Sequence, residues 1–164
     1  MRFSRLLGAL AALAMAFPAL AYDDPRSLVE AIYQPYMNGQ QQANLAQFYS
    51  AGLKQLFLDH ANAKAQEQDV TGSVPTDIEP ALGFNPFIDG DNALLLDVKI
   101  GEPVIVGDKA LITVAFHNFD EPTLLTLSLI KEPDGWKVDD VTSTGGEQKW
   151  MLSWLLLYDP WGGM

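Results

Sequence analysis

Residues 94–141 read LLLDVKIGEPVIVGDKALITVAFHNFDEPTLLTLSLIKEPDGWKVDDV, and the period of this stretch decides the fold. Ile112, Val114 and Phe116 alternate with Leu111, Thr113, Ala115 and His117; Leu125, Leu127 and Leu129 alternate with Leu124, Thr126, Ser128 and Ile130. Alternation at every second residue marks strands with one buried face. Leu94, Leu96, Val98 and Ile100 alternate in the same way with Leu95, Asp97 and Lys99. The interruptions are short: Gly101 to Pro103, Gly107-Asp108, a junction near Asp120-Glu121, and Glu132-Pro133-Asp134-Gly135 before Trp136 to Val141. Connections of that length join neighbouring antiparallel strands. The stretch predicts a meander of about four, with the Ile112 and Leu127 sides turned to the core.

Upstream the period becomes helical. Asp24-Pro25 has the form of a helix cap followed by proline at the first helical position, and Leu28, Ile32, Tyr33 and Tyr36 follow on one side. Pro35 lacks an amide and crowds the preceding turn, so this helix is expected to kink or end near Gln34. A second short helix is expected over Gln42 to Phe48. Ser50 could cap a third, with Leu53, Leu56, Phe57 and His60 on one face, fading into the polar Lys64 to Asp69. Residues 70–92 are dense in proline and glycine and read as loop, pinned to the core by Phe84 and Phe87. Downstream, Gln148 to Tyr158 reads as a short helix, apolar nearly all round. Its Trp150, Met151, Trp154, Leu155, Leu156, Leu157 and Tyr158 are either core or a surface that awaits a partner. Helices first and an antiparallel meander second is the α+β pattern, with helices laid on one sheet face. The opposite face, Leu111 to His117 and Leu124 to Ile130, is half apolar. It suits either ordinary exposure or a homodimer through the outer sheet face.

The chain opens with Arg2 and Arg5, runs apolar from Leu6 to Leu20, and closes on Ala19-Leu20-Ala21 before Tyr22-Asp23-Asp24. That order is the one expected of a secretory signal cleaved after Ala21. The expected organisation is a signal peptide over 1–21 and a single α+β domain over 22–164, in the periplasm or secreted. Of 10 basic residues, the loss of Arg2 and Arg5 leaves 8 against 21 acidic ones, a net charge of −13. Such a surface repels nucleic acid and anionic headgroups. The chain has no cysteine, so disulfides and thiolate metal sites are out of reach.

Gly83-Phe84-Asn85-Pro86-Phe87 with Asp91, and Gly135-Trp136-Lys137-Val138-Asp139-Asp140-Val141, resemble a family of small exported bacterial proteins known as domain of unknown function 3828. The resemblance covers nearly all of the chain past Ala21. It implies a fold similar to the nuclear transport factor 2-like and cystatin-like cones, a curved sheet wrapped around helices, and it implies no activity. An aspartate often precedes the proline of the central loop in that family; here Asn85 stands there.

Candidate chemistry is sparse. Asp89-Gly90-Asp91-Asn92 begins like a calcium loop, but the twelfth position is Ile100 where a bidentate glutamate is needed, so a turn with solvated acids is expected and no metal. His60 sits at the end of an apolar stripe and His117 on the outer face. Asp140 is the one candidate catalytic residue: in phase with Trp136 and Val138, it would face the cone and act as a general base once desolvated. Its structural alternative is to accept bonds from the amides of Thr142 to Gly145, or from a helix start. Tyr33, Tyr36, Tyr49 and Trp136 are the candidates to line a pocket with Asp140, or else are core aromatics. The expected function is a non-enzymatic domain that binds a small ligand or a periplasmic protein, one version being an inhibitor or immunity-type protein aimed at a cationic hydrolase. The alternative is a small-molecule isomerase, dehydratase or hydrolase with a cone-shaped pocket. Neither needs a cofactor.

Overall fold

Asp24 opens the first helix as its composition predicts. Its carboxylate accepts from the Arg26 and Ser27 amides at 2.9 and 3.3 Å, and Pro25 takes the first position of α1, Pro25–Met37. The computed structural model describes residues 21–67, 82–145 and 149–158. Helix α1 does not end at Gln34; it runs past Pro35. The carbonyl that Pro35 leaves without its helical donor is that of Ala31, and the Gln42 side-chain amide donates to it at 3.3 Å. A residue seven positions downstream thus replaces the missing bond. The helix expected over Gln42 to Phe48 shrinks to one 3-10 turn, Leu45–Phe48.

Ser50 then caps α2, Ala51–Glu67. Its hydroxyl accepts from the Leu53 amide at 2.9 Å and donates to Asp139 at 2.7 Å. Leu53, Phe57 and His60 are buried along one face. The part of the expected central loop from residue 70 to 81 lies outside the described residues. The rest of it, from residue 82, is folded tightly into the body, with Phe87 and Ile88 wholly buried.

The sheet has six strands rather than about four: β1 Leu95–Ile100, β2 Val104–Val106, β3 Lys109–Asn118, β4 Glu121–Glu132, β5 Gly135–Ser143 and β6 Trp150–Met151. All their pairings are antiparallel, in the order β1-β3-β4-β5-β6, and β2 continues along the same edge of β3 as β1. The extra strands arise because Val104–Val106, past the break at Gly101 to Pro103, pairs as a strand of its own, and because Trp150 and Met151, expected to be helical, pair with β5 instead. The last helix, α3, is therefore only Leu152–Tyr158. The fold is α+β, with helices both before and after the strands.

Phase along β3 and β4 is as the alternation predicts. Ile112, Val114, Phe116, Leu125, Leu127 and Leu129 are all buried, and α1 crosses that face, with Tyr33 5.9 Å from Phe116 ring to ring. In β1 the predicted phase holds only past Asp97, where Val98 and Ile100 pack against the core. Leu94 and Leu96 are exposed, and Leu95 is the buried one. Asp97 takes φ +56, and the register skips between Leu96 and Lys99. This is a bulge, which puts two residues opposite one and reverses the alternation after it.

Candidate functional site

A second bulge decides the fate of Asp140. Leu129 pairs with Val138 and Ser128 with Asp140, so Asp139 is the extra residue in β5. Val138 stays on the inner face with Leu129, Val141 rejoins it opposite Leu127, and Asp140 lies on the outer face with Ser128. The expected alignment of Asp140 with Trp136 and Val138 is therefore overturned. Its oxygens accept from the Val141 and Ser153 amides at 2.8 and 3.0 Å and from the Ser153 hydroxyl at 2.6 Å. Ser153 lies in the first turn of α3, so this carboxylate holds a helix start, the second of the two structural alternatives; Thr142 to Gly145 supply none of these bonds.

Tyr33, Tyr36 and Tyr49 sit on the other side of the sheet, in the core. The Tyr33 hydroxyl donates to the Phe87 carbonyl at 2.9 Å, and burial raises its pKa well above the ordinary 10.0. Tyr36 accepts from the Asn85 side-chain amide at 2.7 Å, while the Asn85 carbonyl oxygen accepts from the Phe87 amide at 2.9 Å. Tyr49 stacks on Phe57 and Phe87 at 5.2 and 5.9 Å. These rings fasten the central loop and do not frame a mouth. Trp136 is buried, with its backbone amide donating to the Tyr22 carbonyl at 2.9 Å. The tyrosines and Asp140 lie on opposite sides of the sheet, so the expected convergence is absent from these residues.

Two structural roles were not legible in the sequence. Asp89, read there as a solvated turn acid, accepts from the Ser143 hydroxyl and the Trp150 indole, both at 2.7 Å, and so joins the central loop to β5 and β6. The Trp150 ring meets Phe84 edge-on at 5.2 Å. His60 bonds through Nδ1 to the Leu156 carbonyl at 2.9 Å. That nitrogen must carry the proton, since a carbonyl only accepts; the bond ties α2 to α3. Among the described residues no group of three or more histidines and carboxylates is placed to hold a metal. No helix among them is long and apolar enough to cross a membrane.

What remains is a surface. Register places Leu96, Lys99, Val104, Val106, Lys109, Leu111, Thr113, Ala115 and His117 on the outer face, next to Pro122, Leu124, Thr126, Ser128 and Ile130 of β4. Leu96, Val104, Val106, Leu111 and Leu124 are exposed. In a chain with 21 acidic residues, these fourteen positions carry two lysines, one histidine and no carboxylate. A smaller apolar patch lies on α3, where Leu152, Leu155 and Leu156 are buried and Trp154, Leu157 and Tyr158 are exposed. That helix is thus core on one side and open on the other. Comparison with family models, with curated proteins and with solved structures gives no match.

Proposed function

We propose that this chain is an exported, non-enzymatic interaction domain that binds a protein through the outer face of β1 to β4. The observation that carries the reading is the separation of charge from apolar surface. A strongly acidic body attracts a cationic partner from a distance, and the fourteen carboxylate-free positions on the outer face of β1 to β4 include exposed Leu96, Val104, Leu111 and Leu124 for dry contact. An inhibitor or immunity-type protein against a basic hydrolase has this combination of needs. The leader over 1–21, cleavage after Ala21, and delivery to the periplasm or the medium belong to the same reading. So do the kinship with the domain of unknown function 3828 proteins and the nuclear transport factor 2-like cone. The order of helices, then meander, is what supports the cone.

The test is capture from periplasmic extract on the immobilised chain, at low salt and at about 0.5 M salt, where screening acts over roughly 4 Å. The expected result is a discrete basic protein whose association slows as salt rises, and whose chemical cross-links fall on β3 and β4. A partner cross-linked to α1 or α2, or one whose binding rate ignores salt, contradicts the reading.

A further inference from the structure

Among the described residues, none covers β2. Val104, Ile105 and Val106 are 64%, 51% and 75% exposed, although Ile105 pairs with buried Ala110 and so has the parity of the inner face. The β2–β3 hairpin thus projects with apolar side chains on both of its surfaces. Its hydrogen-bond phase follows from its turn. Val106 and Lys109 pair across the two-residue turn Gly107-Asp108, with Gly107 at φ +64. Farther along, the Gly101 amide donates to the Thr113 carbonyl at 2.8 Å. In an antiparallel ladder bonded pairs alternate, so Val104 and Val106 bond to β3. Ile105 directs its own N–H and C=O to the opposite edge. Among the described residues no strand pairs with that edge.

We propose that this edge pairs with β2 of a second copy of the chain, antiparallel, with the two-fold axis at Ile105. Val-Ile-Val reads the same from either end. Self-pairing centred on Ile105 sets Val104 against Val106 of the second copy, and the two Ile105 residues exchange both backbone bonds. Charge permits pairing within the strand, although the same register sets Glu102 across from Asp108 of the second copy, which weakens the dimer. Two copies of so acidic a chain repel, and β2 contains no charged side chain. Its neighbour Glu102 is held toward α1 by Arg26 at 2.8 Å. Edge strands are commonly guarded by lysine or proline within the strand; β2 has neither. Pro103 and the turn at Gly107 stop the pairing after three residues, which makes the register unique and the dimer weak. The outer face stays open in this arrangement, and the two copies' sheets join into one surface. The inference is independent of what that face binds.

The chain has no cysteine, so one introduced thiol reports one position. Ile105→Cys places two thiols across the axis, where paired Cα atoms about 5.5 Å apart suit a disulfide. Expressed with its own leader, Ile105→Cys should oxidise to a covalent dimer at least about tenfold faster than Leu111→Cys, because pairing raises the local thiol concentration. Sedimentation of the parent chain up to about 500 µM should show a monomer–dimer equilibrium. Ile105→Pro, which removes the outward N–H and no bond to β3, and Val106→Lys, at the most exposed position of the strand, should both be monomers with unchanged circular dichroism. Leu111→Asp should still dimerise. Equal oxidation rates at the two cysteines, a parent chain that stays monomeric, or a dimer lost in Leu111→Asp but kept in Val106→Lys would each overturn the proposal.

Discussion

The inner and outer faces of β3 and β4 come from the same two strands, one residue out of step, yet they are different materials. Inside, Ile112, Val114, Leu125 and Leu127 are sealed beneath α1 and the central loop. Outside, Leu111 and Leu124 stand in solvent among threonine, serine and lysine. Every side chain on the first face holds the fold, whereas those on the second are free to hold something else. The bulge at Asp139 matters because it moves a carboxylate from the first face to the second, where α3 takes it as a cap.

The difference can be broken most severely from the inside. Leu127→Ala removes a wholly buried side chain at the centre of the sheet and should cost about 2–5 kcal/mol, read from the urea midpoint. Asp140→Asn comes next. The change removes the charge at the helix start and leaves an amide nitrogen that can only donate to the Ser153 hydroxyl, where the carboxylate accepted from it. A loss of about 1 kcal/mol is expected, with α3 loosened in hydrogen exchange. If Asp140 were a free base on a cavity wall, the same change would be nearly neutral. Tyr33→Phe sharpens the comparison through pH. Because burial raises the Tyr33 pKa, its contribution is fully present below the ordinary 10.0 and is lost as pH rises through the higher folded value. The parent chain should therefore weaken from about pH 10 upward more steeply than Tyr33→Phe, which at neutral pH loses about 1 kcal/mol with the bond to Phe87. Leu111→Ala, on the outer face, should move stability by less than about 0.5 kcal/mol.

The same contrast explains what could be read from the sequence. In β3 and β4 the alternation continues without a bulge through the core, so side and strand were both legible from Ile112 to Leu129. In β1 and β5 it is broken at Asp97 and Asp139. Aspartate inside a strand is the local trace of each bulge, alone in β1 and next to Asp140 in β5, but polarity alone does not say that the backbone has slipped a residue. Asp24 and Ser50 were legible as caps because their donors lie within three residues. The continuation of α1 past Pro35 was not, since its replacement donor comes from Gln42, beyond the helix. Asp89 was misread for a similar reason: its donors, Ser143 and Trp150, are more than fifty residues away. Local chemistry announces itself; a bond formed by folding does not.

The division between a face that holds the fold and a face that holds a partner is tested most directly by Leu111→Asp combined with Leu124→Asp. We expect this double variant to melt within a few degrees of the parent, since exposed substitutions shift stability by about 0.5 kcal/mol or less. It should also lose the captured basic protein. A double variant that unfolds, or one that captures the partner as well as the parent chain does, would contradict the account.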